Sequence, residues 1–129
     1  MNGIACEARA QDRVLLRFYV HEDHRLHWKP LWEWLLDEAN RMGIAGGSAF
    51  RAIAGFGRHR MLHEARFFEL QGSLAIEVEF IATDDEARQL IERVSREKVR
   101  LCYATIPVRF GVIDNLDEGA APAAPAGAR

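Results

Sequence analysis

Cysteine is scarce in this chain: only Cys6 and Cys102 occur, and they form no CxxC pair. Two thiols cannot build a tetrahedral zinc site without histidine and define no disulfide framework, so they read as reduced, structural or incidental groups. No apolar run approaches the roughly 20 residues that span a bilayer, so no membrane-inserted segment is expected. The opening MNGIACEARAQDR lacks the basic-then-apolar order of a secretory leader, which predicts a cytoplasmic protein. Excess positive charge is missing too. Seventeen Lys and Arg stand against 19 Asp and Glu, a net charge of -2 that offers nucleic acid or anionic lipid no overall attraction, so any anion site must be local. No Ser-His-Asp arrangement, paired-carboxylate motif or HExxH helix is present, and the chain is not expected to be an enzyme.

What remains is an ordinary globular composition, 49% hydrophobic and 28% charged over 129 residues, enough for one domain with a real core. The Ala/Pro/Gly-rich end, residues 116–129, holds too little apolar bulk to offset the entropy of ordering and reads as a disordered tail. Residues 1–12 show no sustained periodicity and read as a loose segment. Between them, from Arg13 to Asn115, hydrophobic periodicity marks six elements.

Val14, Leu16, Phe18 and Val20 alternate with more polar neighbours as in a strand with one buried face. The polar HEDHRLHWK that follows reads as a loop. Pro30 then stands where a first helical residue is expected, and Leu31, Trp34, Leu35, Ala39 and Met42 recur at helical spacing up to a stop at Gly43. Ser48 to Ala54 reads as a second strand, and Leu74, Ile76, Val78 and Phe80 mark a third. Thr83 with Glu86 forms a capping box ahead of the helical stripe Ala87, Leu90, Ile91 and Val94. Ala104, Ile106, Val108 and Phe110 alternate along a last strand, in which Pro107 favours a sheet edge. The order βαββαβ predicts an α+β ferredoxin-like sandwich, a four-stranded antiparallel sheet with two helices on one face. The other face is expected to carry Leu15, Tyr19, Ile53 and Ile81 beside Arg17, Arg51, Glu77 and Glu79, a mixture that predicts self-association.

AGFGRHR, from Ala54 to Arg60, is the one stretch with the makings of a ligand loop. Gly55 and Gly57 allow close backbone approach, and Arg58 and Arg60 supply charge and bidentate geometry for phosphate; a strand end needing only backbone freedom accounts for the glycines equally well. The Gly-aromatic-Gly pattern of RNA-recognition domains is followed by aromatics on another strand, whereas here Arg58, His59 and Arg60 follow, so no nucleic-acid partner is expected. His21, His24 and His27 recur at threes, which would gather metal ligands on a helix but not in a loop; whether these, or His59 and His63, hold metal is open. Trp34 belongs to the apolar stripe of the first helix, with Trp28 and Trp32 at its margin, packed in the core or at a subunit contact.

The run MGIAGGSAFRAIAGFGRH, from Met42 to His59, resembles the stretch of PII signal-transduction proteins that leads from their first helix through the second strand into a long loop. With RFYVHEDHRLHWKPLWEWLL it is more similar still to a PII-like family, domain of unknown function 190, over roughly Val14 to Val112. The resemblance implies a homotrimer that binds a small ligand, an adenine nucleotide in many relatives, at subunit clefts, with no required cofactor. It implies a regulatory role in which the long loop acts on a partner such as a membrane transporter. Ser48 takes the place of the hydroxyl residue near the nucleotide, and Gly55, Phe56, Gly57, Arg58 and His59 form the loop base. His59 stands where true PII proteins have glutamine. The glycine-rich phosphate loop after the second helix is replaced by REKVRLCYATIP, where Arg96, Lys98 and Arg100 could supply some of its charge. A ligand-free trimeric scaffold is the alternative.

Overall fold

The computed structural model describes residues 10–56 and 75–115. β1 (Gln11–His21) leads through a short hairpin, β2 (Arg25–Leu26) and β3 (Lys29–Pro30), into α1 (Leu31–Arg41). β4 (Gly47–Arg51), β5 (Ala75–Ala82), α2 (Asp84–Ser95) and β6 (Cys102–Phe110) follow. The long strands form one antiparallel sheet in the order β4-β5-β1-β6, the ferredoxin-like α+β fold that the sequence pattern implies. β1 already pairs from Gln11, so the ordered sheet takes in two residues of the segment expected to be loose.

One face of the sheet and the inner faces of both helices make the core. Leu16, Phe18 and Val20 on β1 meet Ile76, Val78 and Phe80 on β5, and Leu31, Trp34, Leu35, Leu90 and Val94 close over them. Each large apolar side chain buried here contributes about 1.5–3 kcal/mol. Phe18 and Phe80 meet edge to face, with ring centroids 6.4 Å apart.

Both helix ends are specified locally. At Thr83 the hydroxyl accepts from the Glu86 amide and the Glu86 carboxylate accepts from the Thr83 amide, each at 3.0 Å, the expected capping box. α1 ends in a Schellman turn: Gly43 has φ +89°, its amide donates to the Asn40 carbonyl, and the Ile44 amide donates to the Ala39 carbonyl. Pro30 departs from expectation. Its ψ of 142° is extended, so it closes β3 and caps the helix, and Leu31 is the first helical residue.

The polar stretch expected to be a loop is instead the β2–β3 hairpin. His27 (φ 53°) and Trp28 (φ 71°), its two loop residues, both lie in the left-handed region that a two-residue type I′ connection demands. Side-chain bonds hold it. His27 Nε2 lies 2.8 Å from Glu97 Oε1, Lys29 donates to Asp37 at 2.6 Å, and Arg25 donates to the Trp28 carbonyl at 2.8 Å. Glu97 also accepts from Arg93, which donates on to the buried Glu38 and lies 5.1 Å over the Trp34 ring. A ladder of alternating charge thus ties hairpin, α1 and α2 together.

A Cβ added at Gly47 would lie 2.5 Å from Phe80 Cε1 and 3.2 Å from Leu36 Cδ2, so Gly47→Ala should cost about 1–3 kcal/mol in urea unfolding. At Gly46 a Cβ meets nothing within 4 Å, and Gly46→Ala should change stability by less than about 0.5 kcal/mol. The Glu97 carboxyl is held below its ordinary value of 4.5 by hydrogen bonds from Arg93 and then His27. A depressed carboxyl stabilises fully above its unfolded value and loses that contribution as pH falls through the native one. The stability difference between wild type and Glu97→Gln should therefore be full near neutral pH and shrink below pH 4.5.

Candidate functional site

Residues paired across the sheet share a face, so the register assigns every side chain of the face that the helices leave open. Gln11, Arg13, Leu15, Arg17 and Tyr19 on β1 lie there, with Glu77, Glu79 and Ile81 on β5. On β4 the open-face residues are Ser48 and Phe50, opposite Glu79 and Glu77. Arg51, expected among them, pairs opposite the buried Ile76 and lies on the helix side, where it bonds Glu22. Ile53 lies beyond the strand and is exposed. The sequence pattern thus sets the second strand one residue out of phase, and a shift of one exchanges its faces.

β6 adds most of the apolar area. Ala104, Ile106, Val108 and Phe110 oppose Arg17, Leu15, Arg13 and Gln11, so its apolar set points away from the helices, opposite to the apolar sets of β1 and β5. Tyr19, Phe50, Ile106 and Phe110 are 38–54% exposed on this face. In its middle, Arg17 Nε donates to Glu79 at 2.8 Å and lies 3.7 Å from Glu77. Hydrogen bonds with Tyr19, then Glu79, raise the Arg17 pKa above its ordinary value.

At the end of this face nearest Gly47 a cleft of about 600 Å³ opens between the α1–β4 connection and the residues that follow β6. Phe50 and Phe110 provide rings, Leu15 and Ile81 an apolar floor, Ser48 a hydroxyl, and Arg13 a cation. Among the described residues the Arg13 guanidinium bonds neutral acceptors, the Asp12 carbonyl and the Gln11 side chain. Glu79, the one carboxylate of the lining, is already bonded by Arg17. Among the described residues the cleft therefore combines aromatic surface with one positive charge that has no carboxylate partner, a chemistry suited to a flat ring bearing an anionic group.

Of the residues expected to bind ligand, Ser48 lines the cleft. Gly55 and the exposed Phe56 do not. Gly55 is outside the left-handed region and a Cβ there would meet nothing within 4 Å among the described residues, so neither its conformation nor the described surroundings require glycine at that position. Gly57, Arg58, His59 and His63 lie outside the described residues. Among those described, no three His, Cys, Asp or Glu side chains converge as a metal site, and His21, His24 and His27 are spread along β1 and the hairpin. Arg96, Lys98 and Arg100 do not reach this cleft. Sequence reasoning misses Arg13, Phe50 and Phe110 as site residues; the period of two that places Ser48 also places Phe50, once the strand's phase is known.

Comparison with known proteins agrees with the architecture. The DUF190 family model, "Uncharacterized ACR", matches residues 13–107. A UPF0166 protein of Aquifex aeolicus (strain VF5) is 33% identical over 86 residues, 67% of this chain and 82% of that protein. Two solved structures superpose. One, described as a PII-like signalling protein of Thermus thermophilus, has a TM-score of 0.50 at 17% identity and covers 81% of this chain and 92% of its own. The other is CPII, a nitrogen regulatory PII-like protein of Thiomonas intermedia K12 bound to ADP, AMP and bicarbonate; it has a TM-score of 0.52 at 13% identity, covering 83% and 99%.

Proposed function

The chain belongs to the DUF190 family of PII-like proteins, and from that premise we propose that it is a homotrimeric regulatory protein whose open-face cleft binds an adenine nucleotide. The observation that carries the reading is the cleft itself: Ser48 and Arg13 beside Phe50 and Phe110, on a face too apolar to suit water. The rings suit a purine, and Arg13 with the Ser48 hydroxyl suits a phosphate. That a PII-like neighbour of the same fold is bound to ADP and AMP supports the choice of ligand. Assembly through the open face would cover Ile106, Phe110 and Phe50 and draw a second copy to the mouth of the cleft. Occupancy would then shift the population of a segment that acts on a protein target, a membrane transporter being the candidate the resemblance suggests. No helix among the described residues is long and apolar enough to cross a membrane.

Calorimetric titration with AMP, ADP, ATP and bicarbonate, run beside sedimentation equilibrium, tests both parts. A trimer that releases heat with an adenine nucleotide is expected, with affinity roughly tenfold weaker in Arg13→Gln. A trimer giving no heat with any of the four would sink the sensor reading and leave a ligand-free scaffold. Ile106→Glu, which sets a charge in the half-exposed apolar strip, should yield folded monomers; a trimer unaffected by it would show that assembly uses another surface.

A further inference from the structure

Trp28 is 93% exposed at the tip of the β2–β3 hairpin, in backbone geometry that a bulky side chain seldom adopts. Asn-Gly would make the same turn without strain and without an indole in water. Nothing within the described chain offsets either cost, because the ring makes no aromatic contact and its backbone carbonyl alone is bonded, by Arg25. The tip is nonetheless held firmly, through His27 to α2 and through Lys29 to α1. A costly conformation fixed by its surroundings points to a role outside the chain.

The charges around the tip say what kind. Glu22 is paired with Arg51, Asp37 with Lys29, and Glu97 with Arg93 and His27, while Asp23 lies 4.0 Å from His21. Glu33, in the first turn of α1, adds its field to that of Asp37 on the hairpin's Lys29. Arg25, exposed and bonded to the Trp28 backbone carbonyl, has no carboxylate partner among the described residues. His24, Arg25 and His27 are near neighbours of Trp28 in sequence, so the tip offers one indole and one cation with no apolar surround of the breadth a stable protein interface needs, about 800 Å² on each partner. An indole at the headgroup level with a cation against anionic lipid needs no such area.

We propose that the Arg25–Trp28 hairpin tip is a peripheral contact with an anionic lipid surface, with the indole at the interface and Arg25 against the phosphates. It inserts no segment into the bilayer, and it acts locally on a chain whose net charge is -2.

The test uses the full chain, at low ionic strength, with vesicles of phosphatidylglycerol and phosphatidylcholine in equal parts and with phosphatidylcholine alone. Wild type should co-sediment with the anionic vesicles and show a blue shift of tryptophan emission, weaker on the neutral ones. Trp28→Gly, which suits the turn, should keep the native circular dichroism and lower the partition coefficient at least about tenfold. Arg25→Gln should lower it about fivefold, and Arg25→Lys should restore most of it. The proposal is overturned if wild type does not bind, if Trp28→Gly binds equally well, or if neutral vesicles bind as strongly as anionic ones. It is equally overturned if the Trp28 indole is shielded from acrylamide before lipid is added, since a second copy of the chain then covers it.

Discussion

Two helices of three turns each can cover one face of a four-stranded sheet and no more, and the cleft and the apolar strip of this chain depend on what the other face does about it. β1 and β5, in the centre, send their large apolar residues toward the helices and their mixed residues outward. β6 does the reverse. Its helix-side residues, Tyr103, Thr105, Pro107 and Arg109, are all exposed at the rim, while Ile106 and Phe110 extend the open face. On the helix side β6 meets the core through Tyr103, whose ring centroid lies 6.2 Å from that of Phe18, but its apolar alternation faces the other way and has meaning only if something covers the far side. Pro107 removes one ladder donor from the same strand, which weakens its outer edge as a template for another chain and leaves the face as the surface available for association.

The open face is organised by one cation. Arg17 faces Glu79 directly and Glu77 diagonally, so the centre of the sheet carries an ion cluster rather than a continuous apolar plate. Its effect reaches the cleft. By engaging Glu79, Arg17 removes the only acidic competitor for an anion beside Arg13 among the residues lining the cleft. The cleft wall is set just as indirectly: the Schellman turn at Gly43 ends α1, and Gly47, with no Cβ to strike Phe80, lets β4 lie close enough for Ser48 to face the opening. The Arg13–Ser48 side of the cleft is thus positioned by Arg17 and Gly43, which do not line it, and by the backbone of Gly47, which does.

Periodicity makes β1, β5 and the two helices legible because each buries one face against the same core, and a capping box or a helix-stop glycine marks a helix boundary in a few residues. Thr83, Glu86 and Gly43 behave as local signals should. The phase of β4 is not legible, since all five of its residues are exposed in the single chain and no buried set distinguishes one face from the other. That is why the pattern puts Arg51 on the wrong side and overlooks Phe50. The hairpin is hidden for a different reason. Its turn holds His and Trp where the usual signal is Asn-Gly, and it is stabilised by contacts to Glu97 and Asp37, one of them 70 residues away in sequence. Of the candidate site, Ser48 is found by resemblance, whereas Arg13 and Phe110 come together with it through the successive pairing of β4 with β5, β5 with β1 and β1 with β6.

The geometry also separates two surfaces that composition alone would merge. The cleft and the apolar strip belong to the open face, whereas the hairpin packs against α1 and α2 on the opposite layer. Copies associating through the open face would therefore leave each Trp28 tip outward and unobstructed, and a closed ring would present several tips at once. One indole and one arginine bind a surface weakly, but linked tips raise the effective concentration for every contact after the first. Rigidity matters to that gain, because a floppy tip would lose it as entropy. The ladder from Glu38 through Arg93 and Glu97 to His27 supplies the rigidity, and it joins the hairpin to the helix layer without passing through the face that assembly would use.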